Sequence, residues 1–105
     1  MISINGNRLK LLREFFAQMH QTALVSCVEL VLMPISNTKY HLTVAKLRSY
    51  DTTISESYDH AEYLKLVLKD VYENDYDQII ADIKICLGDL VQEEDIIKFF
   101  KVMES

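Results

Sequence analysis

Two glycines and one proline are the only strong backbone breakers in this 105-residue chain. Glycine supplies positive φ and proline fixes a turn, so the reversals of a many-stranded sheet draw heavily on both. A chain so poor in them is steered toward a few long elements, which favours helices over a multi-turn all-β fold. There is no repeat, linker or low-complexity run, and the length fits one domain spanning residues 1–105.

The hydrophobic pattern divides the chain. "MISING" alternates Ile2 and Ile4 before Asn-Gly, the pattern of a short strand entering a turn. From Asn7 to Gln21 the pattern is helical, with Leu9, Leu12, Phe16 and Met19 on one stripe and Leu11 and Phe15 beside it. "ALVSCVELVLMPI", residues 23–35, is apolar on both parities, which suits a central strand or a buried helix. Its three valines and Pro34 favour the strand. "SNTK" reads as a turn, and "YHLTV" alternates Tyr40, Leu42 and Val44 against His41 and Thr43. This predicts a β-hairpin over residues 24–48. The rival is a helix over 38–50, since Tyr40, Val44 and Leu47 also have helical spacing.

The second half is plainly helical. Ser55 or Ser57 can cap a helix carrying Ala61, Leu64, Val67, Leu68 and Val71. A further helix carries Ile79, Ile80, Ile83 and Leu87 and can end at Gly88. "DLVQ", residues 89–92, can cap a last helix with Ile96, Ile97, Phe100 and Met103, whose first turn holds acids. The expected fold is therefore α+β: an N-terminal helix, a short β-hairpin and a C-terminal group of two or three helices. An all-α bundle is the alternative.

Half of the residues are apolar, enough for a real core. The longest apolar run, Ala23 to Ile35, is interrupted by Ser26, Glu29 and Pro34, short of the roughly 20 residues a bilayer asks for. No signal-peptide pattern opens the chain. A cytoplasmic protein that engages no membrane is the expectation, with Cys27 and Cys86 as buried free thiols.

The charge is unevenly spread. Residues 1–55 hold six basic and three acidic side chains, a balance of +3, whereas residues 56–105 hold five and thirteen, a balance of −8. Such a surface repels nucleic acid and attracts basic proteins or cations.

The joint between the two later apolar runs, "VYENDYDQII", concentrates this charge. Local physics explains much of it: Asp75 as N-cap with Gln78 closing a capping box, Asp77 in the first turn, and Asn74 in the left-handed conformation. The alternative is a partner-binding patch in which Tyr72 and Tyr76 are rigid anchors and Glu73, Asp75 and Asp77 complement a basic protein. A second group, Tyr58, Tyr63, Glu56, Asp59 and Glu62, lies at the start of the preceding helix, at its far end from the joint.

No spacing of His20, His41 and His60 with each other or with cysteine suggests a metal site, and the acids lack the glycine and closing Glu of a calcium loop. There is no nucleophile elbow, CxxC or phosphate-cradling glycine loop, so neither a catalytic residue nor a cofactor is expected.

The opening "ISINGNRLKLLREFF" resembles the start of barstar-type ribonuclease inhibitors, in which a strand ending Ile-Asn-Gly, here Ile4, Asn5 and Gly6, leads into a first helix. The likeness covers the first fifth of the chain and carries over no inhibitory residue. In size, acidity and want of catalytic motifs the chain also resembles bacterial immunity proteins, including those of contact-dependent growth inhibition. That resemblance implies neutralisation of a toxic, often basic nuclease by covering its active site. The expected function is thus a non-enzymatic toxin inhibitor or antitoxin. The alternative is a structural or adaptor subunit that homodimerises or binds a partner helix through apolar surface such as "IIKFF" near the C-terminus.

Overall fold

The segment expected to form the first strand of a hairpin is the second half of a long helix. The structure, a computed structural model, describes residues 6–105, and among these every regular element is helical. Helix α1 spans Gly6–Ile35, 30 residues, or about 45 Å. The α+β expectation is therefore corrected to an all-α bundle, while the short strand expected in "MISING" lies outside the described residues.

The reason is cooperative. From Asn7 onward no glycine or proline interrupts the chain until Pro34, so each residue added to the first helix gains a hydrogen bond without a new nucleation cost. The strand preference of Val25, Val28 and Val31 is a small, context-dependent term and does not stop that propagation. The segment is apolar on both parities because a helical stripe, Leu24, Cys27, Val28 and Leu32, is buried while Leu30 and Met33 point outward.

Pro34 sits in the last turn of α1, where a missing N–H ends the ladder. Ser36 then starts α2 (Asn37–Ser49), its Oγ accepting from the Lys39 amide at 3.2 Å. This is the rival helix over 38–50, not the second strand. Its apparent alternation hides an inner face of Thr43 and Leu47, both fully buried, with the Thr43 hydroxyl donating to the Lys39 carbonyl at 2.8 Å.

Three helices follow: α3 (Ala61–Tyr72), α4 (Tyr76–Leu87) and α5 (Glu94–Met103), each preceded by a short 3-10 turn, at Ile54–Glu56, Glu73–Asp75 and Gly88–Gln92. The caps expected at Ser55 or Ser57 and at Asp89 are not used. His60 and Glu93 occupy the N-cap positions of α3 and α5 without side-chain capping bonds. Helix α1 lies mainly on α4, α2 on α3, and α3 on α5. Leu64 and Leu68 of α3, Ile79 and Ile83 of α4, and Ile96 and Met103 of α5 close the core over the inner stripe of α1. Each such side chain contributes about 1.5–3 kcal/mol by leaving water. Cys27 is in this core as expected, whereas Cys86 is exposed on α4.

The molecule is long, 58 × 28 × 24 Å. The inner stripe of α1 begins at Leu24, and the preceding turns carry Leu9, Leu11, Leu12, Phe15, Phe16 and Met19 largely in the open.

Candidate binding surfaces

The acidic joint keeps its carboxylates exposed and buries its tyrosines. Tyr72 and Tyr76 are only 1% and 5% exposed, so neither can anchor a partner. Both face the core because they close α3 and open α4 on the inner side, and the ammonium groups of Lys39 and Lys69 lie over their rings at 5.7 and 5.2 Å. Glu73, Asp75 and Asp77 are exposed. The capping box is not formed either: Asp75 makes no side-chain cap bond, and the Gln78 amide donates instead to Asp82 at 2.9 Å. It is Glu73, at φ 48° and ψ −112°, and not Asn74, that takes the positive φ of the joint.

The second predicted group keeps part of its expected character. Tyr63, half-buried, stacks on Tyr50 at the end of α2, with ring centroids 5.2 Å apart and planes 20° apart. His60 lies 5.8 Å from the Tyr63 ring. Tyr50 is 44% exposed, and Glu56, Asp59 and Glu62 are exposed around the same turn. The structure thus sets an aromatic platform at the N-terminal end of α3, with Glu62 linked to it through His60 at 3.8 Å, while Asp59 and Glu62 also border a groove with Tyr58 and Phe99. Tyr50 was not foreseen, since nothing local to "RSYDTT" reveals that α2 ends beside the start of α3. The joint acids lie at the opposite end of this 12-residue helix, about 16 Å away.

Tyr58, expected on the same surface, turns inward. Its hydroxyl donates to Asp95 Oδ2 at 2.5 Å, and His20 Nδ1 meets the two Asp95 oxygens at 2.9 and 3.0 Å. An ionised carboxylate only accepts, so His20 donates through Nδ1–H. The Ile96 amide donates to Oδ1 at 3.0 Å. Burial pushes the Asp95 carboxyl up, but the hydrogen bonds from Tyr58 and His20 outweigh it and hold the group below its ordinary range. Burial, reinforced by Asp95, pushes the Tyr58 phenol up, so it stays protonated. The cluster ties α1 to α5. His20 and Asp95 are 75 residues apart, and the only local signal for Asp95 was its place in a helix first turn.

Among the described residues, the largest uncovered apolar surface is on α1, not on α5. In "IIKFF", Ile96, Phe99 and Phe100 are buried, and Ile97 alone of its apolar side chains reaches the surface. On α1, by contrast, Leu9, Leu12, Phe16, Met19, Leu30 and Met33 are between 45% and 65% exposed. By length and composition alone, the helix over Arg8–Ile35 is long and apolar enough to cross a bilayer. The same helix gives its inner stripe to the protein core.

Comparison of the chain with family models, with curated proteins and with solved structures finds no match.

Proposed function

We propose that this protein is a non-enzymatic binder of a basic protein, acting as a toxin-neutralising immunity protein acts on a nuclease. One observation carries the reading: the Tyr50–Tyr63 stack stands at the start of α3 with His60 against the Tyr63 ring and the exposed Glu62 carboxylate 3.8 Å from His60. Stacked aromatics supply rigid contact area at little entropic cost, and exposed carboxylates in the adjoining turns select for a cationic partner. The acids of the Glu73–Asp77 joint add to the negative field of this half of the molecule without touching the platform, and so act on approach more than on docking.

The test is kinetic. The partner is captured from the native host on immobilised protein, and association is followed in low and high salt. The on-rate is expected to fall steeply with salt, and neutralising Glu73, Asp75 and Asp77 together with Glu56, Asp59 and Glu62 is expected to remove most of that dependence. Tyr63→Ala is expected to raise the off-rate instead. An on-rate insensitive to salt, or a partner that is acidic, overturns the reading.

A further inference from the structure

The exposed apolar side chains of α1 are not scattered. Leu9, Leu12, Phe16, Met19, Ala23, Ser26, Leu30 and Met33 follow one another at intervals of three and four residues without a fault. That is the a and d seam of a heptad, held over about 36 Å of helix. No position in it is buried: Ala23 is half-covered, and the other seven are exposed. The seam is also distinct from the core stripe of Leu24, Cys27, Val28 and Leu32, and His20 and Gln21 reach from the core side of the helix to Asp95 and to the Ser55 carbonyl. Ala23 touches the core and Phe16 borders the groove at His20 and Asp95, and the body of the protein leaves the rest of the seam open.

With Leu11 and Phe15 on its flank, eight large apolar side chains each about half exposed present on the order of 800 Å² of apolar surface. That is the area each partner contributes to an interface of standard size, and it exceeds the roughly 300–600 Å² of the largest patch on an ordinary monomer.

The occupant is fixed by the pattern. A 3-4 seam is filled by another helix with the same repeat, and a second copy of α1 has it by construction. The side-chain sizes give the direction. The large residues lie toward both ends and the small pair, Ala23 and Ser26, in between. We propose that two copies of this chain pair antiparallel along α1, with Phe16 opposite the partner's Ser26 and Met19 opposite the partner's Ala23. Leu12 then meets the partner's Leu30, and Leu9 meets the partner's Met33. Every central layer sets a large side chain against a small one, as close packing asks. A parallel pair would instead put Phe16 on the partner's Phe16 and leave Ala23 and Ser26 facing their own small copies. It would also crowd Arg8, Lys10 and Arg13 of both chains, which the antiparallel pair separates. The Tyr50–Tyr63 platform is not part of the seam, so the pairing stands apart from the proposed function and would present two such platforms per particle.

The experiment is sedimentation equilibrium on the full chain. The expected result is a species of twice the mass of one chain. Leu12→Glu with Met19→Glu is expected to return the monomer with unchanged helical circular dichroism, because both side chains are already half in water. Leu66→Glu, at an exposed position of α3 off the seam, is expected to leave the dimer intact. Direction is read by cross-linking in a Cys27→Ala, Cys86→Ser background under oxidised glutathione, a thiol–disulfide oxidant. A mixture of Phe16→Cys and Ser26→Cys chains is expected to cross-link, and Ser26→Cys alone is not. A wild-type monomer at all concentrations, dissociation by Leu66→Glu as readily as by the seam pair, or self-cross-linking of Ser26→Cys overturns the proposal. So does a monomer that binds phosphatidylcholine–phosphatidylglycerol vesicles through the same seam, which would assign it to lipid.

Discussion

Glu73 and Gly88 hold the same backbone conformation, φ 48° and ψ −112° in one and φ 60° and ψ −129° in the other, at equivalent joints after α3 and α4. Each opens a 3-10 turn that leads into the next part of the bundle. Glycine adopts this geometry freely, whereas a side chain there is strained by about 1–3 kcal/mol. The acidic joint therefore keeps a carboxylate where the neighbouring joint has the residue that suits the turn.

Glu73→Gly is expected to stabilise the protein by about 1 kcal/mol, the relieved strain exceeding the added entropy of the unfolded chain. Gly88→Ala is expected to cost about 1–2 kcal/mol through the backbone alone, since an added Cβ meets nothing within 4 Å. Urea denaturation of the two variants measures both, and a Glu73→Gly variant less stable than wild type would deny the strain.

Tyr72 and Tyr76 should respond oppositely to loss of the hydroxyl. The Tyr76 hydroxyl donates to the buried Met103 carbonyl at 2.7 Å, tying α4 to the end of α5. The Tyr72 hydroxyl is buried, close to Thr43, and meets no partner within hydrogen-bond geometry among the described residues. Tyr76→Phe is expected to destabilise by about 1 kcal/mol, and Tyr72→Phe to be neutral or stabilising. Thermal or urea unfolding of the pair decides it.

Alkaline stability follows from the same buried phenol. Burial, aided by Asp77 and Glu104, pushes Tyr76 up to about 12, against about 10 in an unfolded chain. Its neutral form is the one the fold favours, so the contribution is whole below pH 10 and disappears as pH rises through about 12. Tyr58, Tyr40 and Tyr72 shift the same way. Stability measured across that range should fall, with a rise in phenolate absorbance accompanying unfolding.

Acid stability depends on Asp95. Its carboxyl is held below the ordinary range, so the contribution is present above about pH 4 and is lost as pH falls through the folded-state value. Asp95→Asn is expected to cost about 1–3 kcal/mol at neutral pH, because Tyr58 and His20 lose a charged acceptor. The variant should also show a flatter loss of stability in acid than wild type, as followed by urea unfolding at a series of pH values.

The two thiols should differ sharply in reactivity. Cys27 is buried, and burial, with Cys86 beside it, pushes its thiol up to about 12. Cys86 is exposed on α4. Iodoacetamide is expected to modify Cys86 alone in the native protein and both in urea, as counted by mass spectrometry.

The helices of the second half were legible because their apolar residues recur at three and four and their ends carry Gly88 or acids. Residues 24–48 were not. There a buried helix and a strand both give apolar residues on each parity, and the deciding term, continuation of a helix already nucleated at the N-terminus, is not a property of the segment itself. The acidic joint was legible as charge, but not as geometry. Whether Tyr72 and Tyr76 face a partner or the core depends on where α2 and α5 pack, which no local pattern encodes.

The sequence alone determined that this chain would be made of a few long elements, that its later half would be helical, and that its negative charge would gather there. These follow from breaker count, periodicity and composition, which act over a few residues. Tertiary structure decided which carboxylates stand beside aromatic rings, that His20 and Asp95 meet, and which stripe of α1 is covered. Each of those depends on contacts between segments far apart in the chain, so it exists only once the helices have packed.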